Sequence, residues 1–191
     1  MSDFAPTDTL LSIKNYITGF PEVHITEEDY KKYDGSFAVM RFGRGPASTI
    51  ALAYIKDGVY EWRSSDGVKI YTQNGVIIKT DGLAHDMELD STCFEKKIIH
   101  LSKQQSCKMS LYNPDLLQAY SLFTITDKQF SSVLRFERKI PVSQLKATIE
   151  IPSIKWSKEN IYYLDKGLVL SSIEHIHPRL APVHIEYFLA Y

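Results

Sequence analysis

The residues with the widest chemical reach here are His175, His177, His184 and Glu186, close together near the end of the sequence. Residues two apart on a strand project to one face, so His175 and His177 would present paired imidazoles that His184 and Glu186 could join from the next strand. Such a set suits zinc or copper. Spacing fixes no third ligand, and His177 precedes Pro178 where a strand should end. The histidines therefore read as structural or hydrogen-bonding groups. His175 and His177 stay candidate ligand-binding residues, and no metal or other cofactor is assigned.

Trp62 and Trp156 are the other binding candidates, because an exposed indole face stacks on a sugar ring. Against them stands the plainer reading that the 12 Tyr and 9 Phe accompany strands, where cross-strand packing favours aromatics. Cys93 and Cys107 lie fourteen positions apart with no CxxC or histidine partner spacing, which argues against zinc. Two free thiols are the plainer reading. A disulfide is the alternative, contributing about 3 kcal/mol in an oxidising compartment. No Gly-x-Ser-x-Gly elbow, phosphate-cradling glycine loop or HExxH occurs, so no catalytic residue is assigned and the chain reads as a non-enzyme.

The elements that must position these residues are mostly strands. Thr7 or Asp8 can cap a first helix with Leu10, Ile13, Ile17 and Phe20 near one face, stopped by Gly19 and Pro21. Thr26 with Glu27, Glu28 and Asp29 marks a second, short helix that ends by Asp34-Gly35. The period then changes to two. From Ala47 to Leu83 the pairs Asp57-Gly58, Asp66-Gly67, Asn74-Gly75 and Asp81-Gly82 recur at intervals that leave room for strands alone. Ile50 to Ile55 is apolar on both faces and is expected to be a central strand covered on both sides.

Residues 86–114 have a weaker pattern, with one strand expected around Ile98 to Leu101. Further strands are expected over Tyr120–Thr126, Phe130–Lys139, Leu145–Ile151, Ile161–Asp165, Leu168–Ile176 and Val183–Leu189. Arg135 to Lys139 alternates like a strand with one charged, solvated face. The fold class is mainly β: an antiparallel meander curving into a partly or fully closed barrel, with the two helices packed on it. A two-sheet sandwich satisfies the same periodicity.

One domain spanning residues 1–191 fits the length, and 44% apolar with 24% charged residues describes a globular protein. A net charge of -1 supplies no basic field for nucleic acid or anionic lipid. No apolar run reaches the roughly 20 residues of a membrane helix, and the start lacks a secretory leader.

Two segments resemble a known family. Tyr60 to Val68, containing Trp62 and Ser65-Asp66-Gly67, followed by Tyr71 to Leu83 with Thr72-Gln73-Asn74-Gly75 and Lys79-Thr80, is similar to its pattern of tryptophan, Ser-x-Asp/Asn-Gly, Thr-x-Asn-Gly and Lys/Arg-Thr. Ser171 to Glu186, with its His177-Pro178 turn, resembles the family's closing segment. The family is the YjbF/GfcB group, lipoproteins of group 4 capsule and related exopolysaccharide operons. The resemblance implies a periplasmic barrel-like domain tethered by lipid to the outer membrane, working with polysaccharide export machinery or the glycan itself. It brings no catalytic residues. The lipid-bearing cysteine that the family places near a mature start is absent, so a chain without its leader and lipidated Cys is expected. Residues 86–114 match nothing in the pattern, and their role stays open.

Overall fold

The structure is a computed structural model that describes residue 20, residues 23–101 and residues 103–190. The expected first helix lies outside the described residues. The expected short helix is α1, Glu27–Lys32, opened by a capping box in which Thr26 Oγ1 accepts from Asp29 N–H and the Asp29 carboxylate accepts from Thr26 N–H.

Twelve strands follow, each hydrogen-bonded antiparallel to its neighbours in sequence, and β1 closes against β12, so the described residues form a closed barrel and not a sandwich. They are β1 (Phe37–Phe42), β2 (Ser48–Lys56), β3 (Val59–Arg63), β4 (Lys69–Gln73), β5 (Val76–Asp81), β6 (Met87–Leu89), β7 (Gln104–Leu111), β8 (Leu116–Arg135), β9 (Arg138–Ile151), β10 (Trp156–Asp165), β11 (Leu168–Glu174) and β12 (Val183–Phe188). The Asx-Gly pairs behave as their chemistry requires. Asp57-Gly58 and Asn74-Gly75 both take positive φ at each residue, the geometry that matches the twist of flanking strands.

The interior is filled, not hollow. Trp62, Ile70, Met109, Leu145, Ala147, Tyr162 and Ile185 point inward from the strands and are buried. The segment after β6 closes one end of the barrel: 3-10 turns at Ser91–Phe94 and Ile98–His100 bury Phe94 and Ile98. Asn74 Nδ2 fastens this segment by donating to the carbonyls of Phe94 (2.6 Å) and Glu95 (3.2 Å). Cys93 and Cys107 tie it to β7 as a disulfide with Cα atoms 5.8 Å apart, in place of the two free thiols read from the sequence. Thus the Asn-Gly turn expected only to reverse the chain also anchors a plug.

Three other expectations are corrected. Ile98–Leu101 is a 3-10 turn, and the strand in that region is β7. β2 is covered on one side only, with Ala51, Ala53, Tyr54 and Ile55 exposed; a register break between Leu52 and Tyr54 turns the strand outward. Phe130–Lys139 is not one strand. β8 runs 20 residues to Arg135, and Phe136-Glu137 reverse it with φ of 49° and 60°. Neither residue is a usual turn former. The reversal is held by packing, since the Phe136 ring lies 5.4 Å from Tyr30 and 5.8 Å from Phe188. Together with Phe37, stacked 4.8 Å from Phe188, these rings form an aromatic cluster outside the barrel wall, beneath α1 and the β8–β9 hairpin.

Candidate functional site

The structure separates the residues singled out from the sequence. Trp62 is 1% exposed. Its Nε1 donates to Thr72 Oγ1 at 2.9 Å, and its ring packs against Tyr60 and Tyr187, which makes it a core residue and not a sugar platform. Trp156 opens β10, half-buried against the core and paired in register with Ile151. β11 ends at Glu174, so the two-residue period lapses before His175 and His177, and the two imidazoles go separate ways. His175 Nδ1 lies 3.0 Å from the Glu159 carbonyl. His177 is buried at 3% exposure, accepts from Arg179 N–H, and stacks on His85 at 5.0 Å. Burial first, then the positive potential of His85 and Arg179, holds its pKa below the usual histidine range. His184 and Glu186 sit instead on the outer wall, opposite Ile173 and Ser171. Among the described residues no three metal-ligating side chains converge.

Two arrangements that the sequence did not bring together are better organised. Inside the barrel, the Glu174 carboxylate is 1% exposed and accepts three hydrogen bonds. Ser172 Oγ donates at 2.7 Å, Tyr162 Oη at 3.1 Å and the Ile77 N–H at 3.1 Å. It thereby links β11 to β10 and, across the lumen, to β5. Burial raises its pKa from the ordinary 4.5 to about 7, an effect the three donors only partly offset. Burial, and then the Glu174 charge, pushes the Tyr162 and Tyr187 hydroxyls well above their ordinary range. The space beside Glu174 is about 10 Å³, close to what a single water needs. A substrate has no approach to it there, and the geometry is that of a structural hub.

Outside, the β8–β9 hairpin curls over β10, β11, β12 and β1 and leaves a cleft of about 300 Å³. Val39, Ile173 and Leu134 supply apolar surface, and Tyr163, Ser171, His184, Glu186 and His24 supply polar groups. Burial raises the Glu186 pKa against the opposing pull of Arg135 and His24. An apolar floor with a few convergent polar groups is the composition of a ligand recess. The signal for Glu174 was present but misplaced: a bulge leaves Leu170 unpaired between Val169 and Ser171, so simple alternation along β11 sets Ser172 and Glu174 on the wrong face.

The outer wall carries Lys69–Asp81, Lys79–Glu88, Arg63–Glu61 and Lys146–Glu159 ion pairs, while the interior is mostly apolar around the Glu174 network. That is the reverse of a membrane-spanning barrel, whose outward band is apolar. Among the described residues, no helix is long and apolar enough to cross a membrane.

Residues 11–188 match the family described as group 4 capsule polysaccharide lipoprotein gfcB, YjbF. The chain belongs to this family. The uncharacterized lipoprotein YjbF of Escherichia coli (strain K12) is 29% identical over 69 residues, which is 36% of this chain and 32% of that relative. The match thus spans about a third of the relative's length. The crystal structure of the hypothetical lipoprotein YmcC from Escherichia coli (K12) superimposes with a TM-score of 0.74, covering 100% of this chain and 99% of the other at 15% identity. At that identity the likeness establishes a shared fold. The family match reaches from before α1 to the last residue of β12, so both the meander segment around Trp62 and the closing segment around His177 fall within it.

Proposed function

We propose that this protein is a non-catalytic accessory of capsule or extracellular polysaccharide assembly or export, held by lipid at the periplasmic face of the outer membrane. The observation that carries the reading is the family match over residues 11–188, and a plugged barrel agrees with it. A packed lumen conducts nothing, and the Glu174 carboxylate inside it is spent on three internal hydrogen bonds. Work is therefore done by the outer surface, in contact with export machinery or with glycan. An ion-paired outer wall suits an aqueous compartment beside the membrane, with attachment left to lipid.

Deleting the gene in a capsule-producing strain should lower surface polysaccharide, with recovery on complementation; unchanged polysaccharide would remove the basis for the reading. A second reading, a carbohydrate- or lipid-binding module, draws on the 300 Å³ outer cleft. It requires that Tyr163→Ala and Glu186→Ala abolish binding on a glycan array or to lipid vesicles. No binding by the unaltered protein would end it.

A further inference from the structure

The β8–β9 hairpin leaves the barrel as an arm with one edge that is unpaired among the described residues. β7 pairs with β8 only as far as Thr124, with a last contact from Ile125 N–H to the Lys103 carbonyl. Beyond it, among the described residues, β9 is the one strand paired with β8, through to Arg135. Thr126 to Phe130 are exposed in succession, which means that both faces of the strand are open as well as its edge. Phe130 is 96% exposed and Leu134, on the same face, 61%.

The two edges of the arm differ in a telling way. β9, beyond its last partner in β10 at Ser143, carries Pro141, Lys139 and Arg138, the residue types that deter edge pairing. On β8 the charged residues Asp127, Lys128 and Arg135 flank a stretch, Gln129-Phe130-Ser131-Ser132-Val133-Leu134, that has no charge, proline or glycine and includes the strand formers Phe130 and Val133. An edge left in that state invites another strand, by backbone hydrogen bonds along it and side-chain contacts on its faces. The arm is also held ready: Arg135 Nη2 donates to the Tyr187 carbonyl at 2.8 Å, and Phe136 is seated in the external aromatic cluster.

We infer that the β8 edge is a self-association surface, pairing antiparallel with the same strand of a second copy about a two-fold axis through Ser131. The axis stands normal to the joined sheet, so each residue keeps its face and residue i meets a residue of the same parity. The axis through Ser131 sets Asp127 opposite Arg135 of the second copy at both ends of the pairing, on one face. It brings Phe130 opposite Ser132, diagonal to both Phe130 and Leu134 of the other copy, on the opposite face. Charge complementarity at the ends and apolar contact in the middle thus come from one register. Among the described residues the Arg135 guanidinium, with five donor hydrogens, donates to the Tyr187 carbonyl and lies 4.6 Å over the Phe188 ring, which leaves further N–H groups for a carboxylate of the second copy. The resulting isologous dimer would join two barrels through a continuous β-ribbon, with both plugs left outside the contact and Leu134, on the rim of the outer cleft, within it.

Single cysteines at Phe130, Ser131 and Ser132 test both edge and register, because Cys93 and Cys107 are already bonded to each other. Under mild oxidation Ser131→Cys should yield a disulfide-linked dimer, with little from Phe130→Cys or Ser132→Cys. Sedimentation of the unaltered chain should show a concentration-dependent dimer that Phe130→Lys/Leu134→Lys weakens by about tenfold or more, with circular dichroism unchanged. Cross-linking from position 130 or 132 in place of 131 would overturn the register. A chain that stays monomeric up to about 1 mM, with no cross-link from any of the three, would overturn the association altogether.

Discussion

Replacing Glu174 with Gln should remove a pH dependence built into the barrel. In the folded chain the carboxyl titrates near 7, against 4.5 as its ordinary value. The folded state therefore holds a proton between those values that the unfolded state has released, and stability falls as pH rises across that window. The stabilisation is fully present below about 4.5 and is lost as pH passes through about 7; the difference corresponds to about 3 kcal/mol. Glutamine keeps the shape and stays neutral. Its carbonyl can take the place of Oε2, accepting from Tyr162 Oη and Ile77 N–H, while its amide donates to Ser172 Oγ in place of accepting from it. Urea unfolding at pH 5, 6, 7 and 8 is the assay, with free energies extrapolated linearly. The variant should be more stable than the unaltered protein at pH 8 by up to about 3 kcal/mol and close to it at pH 5. Ionisable groups other than Glu174 are common to both proteins and cancel in the difference. A difference that is flat with pH, or Glu174→Gln less stable at pH 8, would refute the assignment of a buried, proton-holding carboxyl.

Removing the Cys93–Cys107 link, by Cys93→Ala/Cys107→Ala or by reductant, should cost about 3 kcal/mol in chemical denaturation and loosen the plug, seen as faster amide exchange at Phe94 and Ile98. Trp62→Ala should destabilise the protein by about 3–5 kcal/mol, because it empties a core site and leaves Thr72 Oγ1 without its donor. Trp62→Phe should cost less, and a thermal melt that does not move for either would contradict the core assignment.

Much of the barrel was legible because short strands with Asx-Gly turns state their reversal chemically. Asp57-Gly58 and Asn74-Gly75 need positive φ, and both residues of each pair take it. The helix at Glu27–Lys32 was legible for a similar reason, its cap and its acidic first turn being local chemistry. The reversal at Phe136-Glu137 was not, since it is imposed by rings on α1 and β12 that are distant in sequence. The same limit hid the plug. Ile98 reads as a strand residue by composition, but it is turned into the barrel end by a segment tied at Cys93 and at Asn74.

The candidate sites divide along the same line. Alternation along β12 correctly set His184 and Glu186 on one face, and only closure of the sheet decided that this face was the outer wall. His175 and His177 depended on a strand continuing two residues longer than it does. Glu174 depended on a bulge at Leu170 that no periodicity announces. By itself the sequence determined the strand-rich scaffold, the turns and the family, because these rest on local backbone preference and residue order. Tertiary structure decided which residues are inside, which cysteines are bonded and which edge is left open. Each of those depends on where the ring of strands closes and on contacts between segments far apart in the chain.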